Sequence, residues 1–200
     1  KPMSLREYQK KRDFTRTAEP PAKVADKPRF GSNFVVQKHD ASRLHYDFRL
    51  EMEGVLKSWA VPKGFPYTKG ERHLAVHVED HPLEYARFEG IIPAGEYGGG
   101  TVMVWDFGKY EVLGQEPIEA LRSGKLHMLL LGKKLRGEWT LVRTRADEEK
   151  EHWLLMKTGD SVRAVSATQD NRSALTKRTM KQIAQQKDAT WSSNRDGDAE

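Results

Sequence analysis

The 200-residue chain contains no cysteine. Disulfides, thiol nucleophiles and thiolate-bound zinc are therefore excluded, and any metal must be held by nitrogen and oxygen donors. Hydrophobic residues make up only 37%, which suits one modest core with polar tails. No apolar run reaches membrane-spanning length, and the start has no signal-peptide pattern. Residue 1 is Lys rather than Met, so the expectation is an excised or processed piece of a cytoplasmic protein with no membrane partner. A phosphate-cradling loop is missing as well. GEYGGG (95–100) has the glycines but neither the Lys-Ser/Thr pair nor a following helix, and reads as a tight barrel corner.

An acidic excess is likewise absent. The net charge is +5, and residues 1–30 hold nine Lys/Arg against four acids, so this arm carries the whole excess. Such an arm suits a polyanion, because neutralised phosphates release counterions; a solvated basic tail without a partner is the competing reading. Within it, Ser4 and Glu7 have capping-box spacing and predict a short helix to about Gln9. PPAKVADKP (20–28) reads as flexible linker.

What the chain does have is histidine, concentrated in one region. Five of seven (His39, His45, His73, His77, His81) lie between positions 39 and 81. In HYDFRLE (45–51), His45, Asp47, Arg49 and Glu51 alternate with Tyr46, Phe48 and Leu50, so a β-strand sends the two sets to opposite faces. FVVQKH (34–39) is a second strand with Val35, Gln37 and His39 on one face, and DASRL between them is turn-prone. Paired as a hairpin, the strands bring His39 beside His45 and Asp47. Two imidazoles and a carboxylate leave metal positions open for water and substrate, and suit Mn, Zn, Fe or another divalent ion. Arg49, one step further, can grip a phosphate in bidentate fashion. The alternative is the solvated face of an antiparallel sheet. HLAVHVEDHPLEY (73–85) reads as a strand with Leu74, Val76 and Val78 inward, His81 just past its end and Tyr85 beyond.

Three blocks carry a resemblance: KHDASRLHYDFRLEMEGVLKSWAVPKG, VEDHPLEYARFEG and IPAGEYGGGTVMVWDFG. They resemble the 3'-phosphoesterase domain family, a module of bacterial multifunctional DNA ligase D in non-homologous end joining, over about 5–188. The resemblance implies a compact β-barrel that acts at DNA 3' ends with Mn2+. The implied reactions are removal of a 3'-terminal ribonucleoside as a phosphodiesterase and of a 3'-phosphate as a monoesterase. It implies His39, His45 and Asp47 as metal ligands, with Arg49, His81 and Tyr85 around the scissile phosphate. Gln37 and Lys63 match further positions near the phosphate. KRDFTRTAEP (11–20) matches an N-terminal block in which Arg12, Asp13 and Glu19 assist ribonucleoside removal. The family carries Arg immediately before the LAV run. Here His73 stands there and Arg72 one earlier, and a one-residue slip reverses a strand's facing. Arg72 is kept as a phosphate-binding candidate. The implied partners are a primer-template with a 3'-ribonucleotide or 3'-phosphate, and ligase and polymerase modules of the same polypeptide. The implied location is the bacterial cytoplasm, nucleoid-associated during work on DNA.

The fold expected is mainly β: a compact antiparallel β-barrel with short peripheral helices and flexible termini. Its divisions are an arm over 1–30, the barrel over 31–160, an extension with a short helix over 161–188 and a tail or linker over 189–200. VLKSWAVP (55–62) is the third strand; TVMVWDFG and KYEVLGQ form a pair; PIEALRSGK is helical. KLHMLLLGKKLRGEWTLVRTR gives two strands around Gly-Lys-Lys, and EHWLLMKTGD the last. Trp105, Trp139 and Trp153 are assigned to the core rather than to base stacking, and Lys157 to a solvated strand end. SVRAVSATQDNRS is irregular, and TKRTMKQIAQQ is a helix with Met180 and Ile183 as its apolar edge. Besides the metal-dependent phosphoesterase, two readings stand: a non-catalytic nucleic-acid-binding barrel, and a metal-free interaction domain.

Overall fold

A computed structural model of the chain describes residues 4–22, 33–144 and 150–186. The expected 189–200 tail and most of the 20–28 linker lie outside the described residues. The strands are β1 Asn33–Asp40, β2 Leu44–Met52, β3 Val55–Val61, β4 Arg72–Pro82, β5 Gly90–Ile92, β6 Gly100–Val112, β7 Lys125–Gly132, β8 Arg136–Arg143 and β9 Glu151–Lys157. The helices are α1 Leu5–Lys10, α2 Pro117–Ser123, α3 Ala167–Asp170 and α4 Met180–Gln186. Among the described residues, no helix is long and apolar enough to cross a membrane.

Eight strands close an antiparallel barrel in the order β1-β2-β3-β4-β9-β8-β7-β6, with β6 returning to β1. β5 pairs only with the first residues of β6. Closure leaves the eight strands without free edges. The interior is aromatic. Trp59, Trp105, Trp139 and Trp153 are each at most 1% exposed, and the rings of Trp59 and Trp153 meet edge to face at 5.6 Å. Burial of one large apolar side chain contributes about 1.5–3 kcal/mol, so this set anchors the barrel. One barrel end is closed by Asp170 of α3, which takes Lys38 Nζ at 2.6 Å, Tyr46 Oη at 2.7 Å and Trp105 Nε1 at 3.1 Å.

A second apolar cluster lies on the outer face: Tyr8, Leu56, Tyr85, Phe88, Ile92 and Val102, with Phe14, Ala18 and Ala22 packed on it. The N-terminal arm is thus docked on the barrel through 4–22 instead of standing free. Tyr8 is fully buried and its hydroxyl donates to Pro20 O at 2.6 Å.

Several expectations are corrected. Ser4 makes no side-chain cap, so the capping box does not form, although α1 does. TVMVWDFG and KYEVLGQ are one continuous strand, β6, which runs past a bulge opposite Val36 and Gln37. In β4 the inward residues are Ala75 and His77, with His77 stacked on Trp59 at 4.9 Å, while Leu74 is 43% exposed. Lys157 is buried: its Nζ donates to Glu138 O at 2.7 Å and lies 4.4 Å from the Trp139 ring centre. The segment read as irregular after 161 contains α3, whose N-cap Ser166 accepts a bond from Gln169 N.

Asp106 organises the turn between β7 and β8. Its two oxygens accept the backbone N–H groups of Phe107, Lys133, Lys134 and Leu135 at 2.7–3.0 Å. Removing a buried acceptor costs about 1–3 kcal/mol for each donor left unpaired. Asp106→Ala is expected to lower stability by about 3 kcal/mol or more in urea unfolding; a loss below about 0.5 kcal/mol would contradict this role.

Candidate metal centre and active site

The β1–β2 register explains the site. His39 pairs with His45 and Gln37 with Asp47, so the four alternate residues share the outer face of the hairpin. The inward neighbours Val36 and Phe48 hold that facing through the core. One ligand atom from each of His39, His45 and Asp47 falls within 4.8 Å of the others. Asp47 Oδ2 is the common point, 3.6 Å from His39 Nδ1, 3.4 Å from His45 Nε2 and 3.4 Å from an Arg49 terminal nitrogen. His45 Nδ1 lies 2.9 Å from Arg43 O, which turns Nε2 inward.

This set fits a divalent metal ion. His39 Nε2 is buried without a hydrogen-bond partner among the described residues, a costly state for an imidazole nitrogen. Burial alone would raise the Asp47 carboxyl, but the Arg49 guanidinium and the two imidazoles hold it well below the usual carboxylate range. It is therefore a permanent anion at neutral pH. Burial works against the His45 cation, but Asp47 raises it above the ordinary value.

His81 reaches the same face through a bulge. Ser58 pairs with Val78 and Leu56 with His81, so Lys57 alone faces Glu79 and Asp80. The extra residue reverses parity: Ala75 and His77 point inward, yet His81 points outward. Its Nδ1 is 2.9 Å from Glu79 O and 3.1 Å from Arg49, and its Nε2 is 3.4 Å from Arg12. Burial first, then Arg49 and Arg12, push its pKa well below the usual value. The ring is neutral, and donation from Nδ1 to Glu79 O leaves the lone pair on Nε2. Tyr85 stands in the turn Leu83–Arg87, edge to face with His81 at 4.7 Å and 4.9 Å beneath Arg49. Burial, with Glu19 adding, raises its phenol well above the ordinary value.

These residues line a cavity of about 270 Å3 together with Arg12, Tyr97 and Gly98. Arg12 comes from the docked arm. It bonds Glu19 at 2.6 Å and Glu79 at 3.2 Å and lies 3.9 Å from the Tyr8 ring centre. Gly98 has φ +75 and approaches His39 Cε1, so the glycine corner closes over the His39 side of the cluster.

Three residues expected to bind phosphate, Gln37, Lys63 and Arg72, and one expected to assist ribonucleoside removal, Asp13, stand outside the cavity lining. The Gln37 carboxamide donates to Tyr85 O at 2.8 Å and Phe88 O at 3.0 Å and accepts from Arg49 Nε at 2.7 Å. It positions Arg49 and does not line the cavity. Lys63 is exposed on the turn after β3, outside the cavity lining. Arg72 is exposed at the far end of β4 from Glu79 and His81, because it opens the strand that they close. Asp13 is exposed and caps its own turn, accepting from Thr15 N at 3.0 Å and Thr15 Oγ1 at 2.6 Å. Two residues that the sequence reading missed belong to the site. Glu79 is buried between Arg12 and Lys11, at 3.2 and 3.1 Å. Tyr8 packs on His81 at 4.8 Å; a lone tyrosine in a basic arm was its signal.

Loss of the Arg12 charge removes one force that depresses His81 and exposes it to Glu19 and Glu79. Arg12→Gln is expected to raise the His81 pKa, read by imidazole NMR titration; an unchanged or lower value would contradict the geometry.

Comparisons with known proteins identify the family. Residues 37–143, just over half of the chain, match the family model described as the DNA Ligase D 3'-phosphoesterase domain. The multifunctional non-homologous end joining protein LigD of Pseudomonas aeruginosa is 52% identical over 157 residues, 78% of this chain and 19% of that protein. The multifunctional non-homologous end joining DNA repair protein LigD of Mycobacterium tuberculosis is 46% identical over 150 residues, 75% of this chain and 20% of that protein. The Mycolicibacterium smegmatis protein LigD is 42% identical over 165 residues, 80% and 21% respectively. The chain thus spans about a fifth of the length of these curated relatives. On the family match and these identities, the chain belongs to the DNA ligase D 3'-phosphoesterase domain family.

Proposed function

We propose that the chain is a metal-dependent phosphoesterase acting at DNA 3' ends, which removes a terminal ribonucleoside and a 3'-phosphate to leave a 3'-hydroxyl for end joining. The observation that carries this reading is the Asp47 carboxylate, met by two imidazoles and by Arg49 within 3.6 Å in one cavity. His39, His45 and Asp47 would hold the metal, Mn2+ by preference, with other divalent ions able to replace it. A bound divalent ion there supplies Lewis-acid polarisation of a phosphoryl oxygen.

The chain's own groups do the rest. Arg49, fixed by Gln37 and Asp47, neutralises charge on the transferring phosphoryl group. Arg12 flanks the opposite side of His81 and assists, with Glu19 holding its guanidinium, when a ribonucleoside is removed. Tyr85 keeps its proton and is a hydrogen-bond donor in the cavity wall. The entering phosphate offsets the two guanidiniums that depress His81; the ring then gains basicity and can hold the proton destined for the leaving oxygen. The cavity, about 270 Å3, is at or below the small end of ligand sites, roughly 300–1,000 Å3. It suits a terminal phosphate with its sugar, so a chain end enters and stacked duplex does not. The names of the relatives, multifunctional non-homologous end joining proteins several-fold longer than this chain, support DNA repair by end joining; ligase and polymerase modules of the same polypeptide and a site of action at DNA in the cytoplasm belong to the same proposal.

A primer-template ending in a ribonucleotide or a 3'-phosphate, assayed with and without Mn2+, tests substrate, reaction and cofactor together. His39→Ala is expected to lower Mn2+-dependent phosphate release by at least about 100-fold while DNA affinity stays within a few-fold. A variant that cleaves at the normal rate contradicts the metal assignment. A wild-type chain that binds DNA but releases nothing makes it a non-catalytic binding barrel.

A further inference from the structure

A second cavity, about 310 Å3, is lined by Lys133, Lys134, Arg172 and Lys177 together with Thr168 and Gln169. It lies between the β7–β8 turn and the segment that follows α3. Its four cations crowd together without a carboxylate partner among the described residues. They meet carbonyls and rings instead. Lys134 Nζ donates to Arg172 O and lies 4.8 Å from the Trp105 ring centre. Arg172 donates to Lys177 O at 3.2 Å, and Lys177 Nζ to Ala174 O at 3.3 Å. Lys133 Nζ lies 5.6 Å from the Phe107 ring centre. The nearest acids are already committed, Asp106 to the backbone of the turn and Asp170 to Lys38, Tyr46 and Trp105. Burial above all, with Lys38 and Lys177 adding, pushes Lys134 down to about 8 despite Asp106 and Asp170. Crowded cations of this kind are relieved by a multidentate anion.

The geometry points to a binding site for a DNA backbone phosphate, separate from the phosphate that is cleaved. Position argues for backbone over a free anion. Lys38 and Tyr46 reach Asp170 from the inner side of the β1–β2 hairpin, while His39, His45 and Asp47 face outward from the same strands. The basic cavity and the metal centre therefore flank one end of the barrel. A primer-template whose 3' end enters the catalytic cavity can lay a further phosphate across that end into the second one. This inference rests on the proposed action at DNA ends, and its test separates the two.

Lys133 and Lys177 are exposed loop residues, so Lys133→Gln/Lys177→Gln should leave the barrel intact, checked by circular dichroism. Anisotropy with a 3'-phosphorylated primer-template is expected to show affinity reduced about tenfold. The slope of log affinity against log salt should fall by about 1, the value for one neutralised phosphate. Phosphate release from a 3'-phosphorylated dinucleotide, too short to span both cavities, should be unchanged. The charge-keeping pair Lys133→Arg/Lys177→Arg should bind as the wild type does. Unchanged affinity and slope in the Gln pair overturn the inference, as does an equal loss on the dinucleotide. Calorimetry in which the Gln pair loses inorganic phosphate but holds DNA normally assigns the cavity to the free anion, and also overturns it. A wild-type chain inactive on both substrates overturns the proposed function instead.

Discussion

The site depends on the burial of one cation. Arg49 is 2% exposed, and an unpaired guanidinium there would be prohibitively destabilising. Its partners are therefore fixed in number and direction. The Gln37 amide oxygen accepts from Nε at 2.7 Å, an Asp47 oxygen lies 3.4 Å from one terminal nitrogen, and the Tyr85 ring lies 4.9 Å away. With these contacts one side chain helps to keep Asp47 ionised, adds to the burial that keeps the His81 ring neutral and seats the phenol of Tyr85. Gln37 adds rigidity, because its amide ties Arg49 to the carbonyls of Tyr85 and Phe88.

Two long-range features then complete what the hairpin begins. The bulge in β4 delivers His81 to the outer face, and the docked arm delivers Arg12 to its other side. The arm stays because Tyr8, Phe14 and Ala18 pack on an outer apolar cluster. A chain segment with a net positive charge thus contributes its charge inside the cavity, balanced by Glu19 and Glu79. Lys11 and Arg16 extend that link, the first to Glu79 and Tyr97 and the second to Glu96 of the glycine corner. The order of dependence runs from barrel core to hairpin facing, then to Arg49, and last to the groups that Arg49 and Arg12 hold.

The hairpin and its cluster of His39, His45 and Asp47 were legible because alternation and turn chemistry are local. The compact antiparallel barrel was legible from repeated strand patterns and from the family resemblance, whereas its closure by eight strands is read from the structure. What escaped was non-local. Nothing in VHVEDHP marks the bulge that turns His81 outward, since no Gly or irregular spacing accompanies it; Leu74, Val76 and Val78 read as the inward set because they are the larger apolar alternates, whereas Ala75 and His77 face the core. Lys157 reads as solvated because lysine usually is, yet a ring below it and two carbonyls hold its ammonium at the barrel end. The capping box at Ser4 and Glu7 has the right spacing, but the Ser4 side chain makes no cap. Asp13 and Glu19 looked alike by motif; in the fold, Glu19 is buried on Arg12 and Asp13 closes a surface turn. Charge type was readable from sequence, whereas partner choice was decided by packing.

The central claim is that His39, His45 and Asp47 converge on one divalent ion beside Arg49. Anomalous diffraction from crystals soaked in Mn2+ tests it without reference to turnover. The account predicts a single strong peak touching all three side chains, absent from crystals of Asp47→Ala. Manganese bound elsewhere, or a peak that survives the loss of Asp47 unchanged, would contradict it.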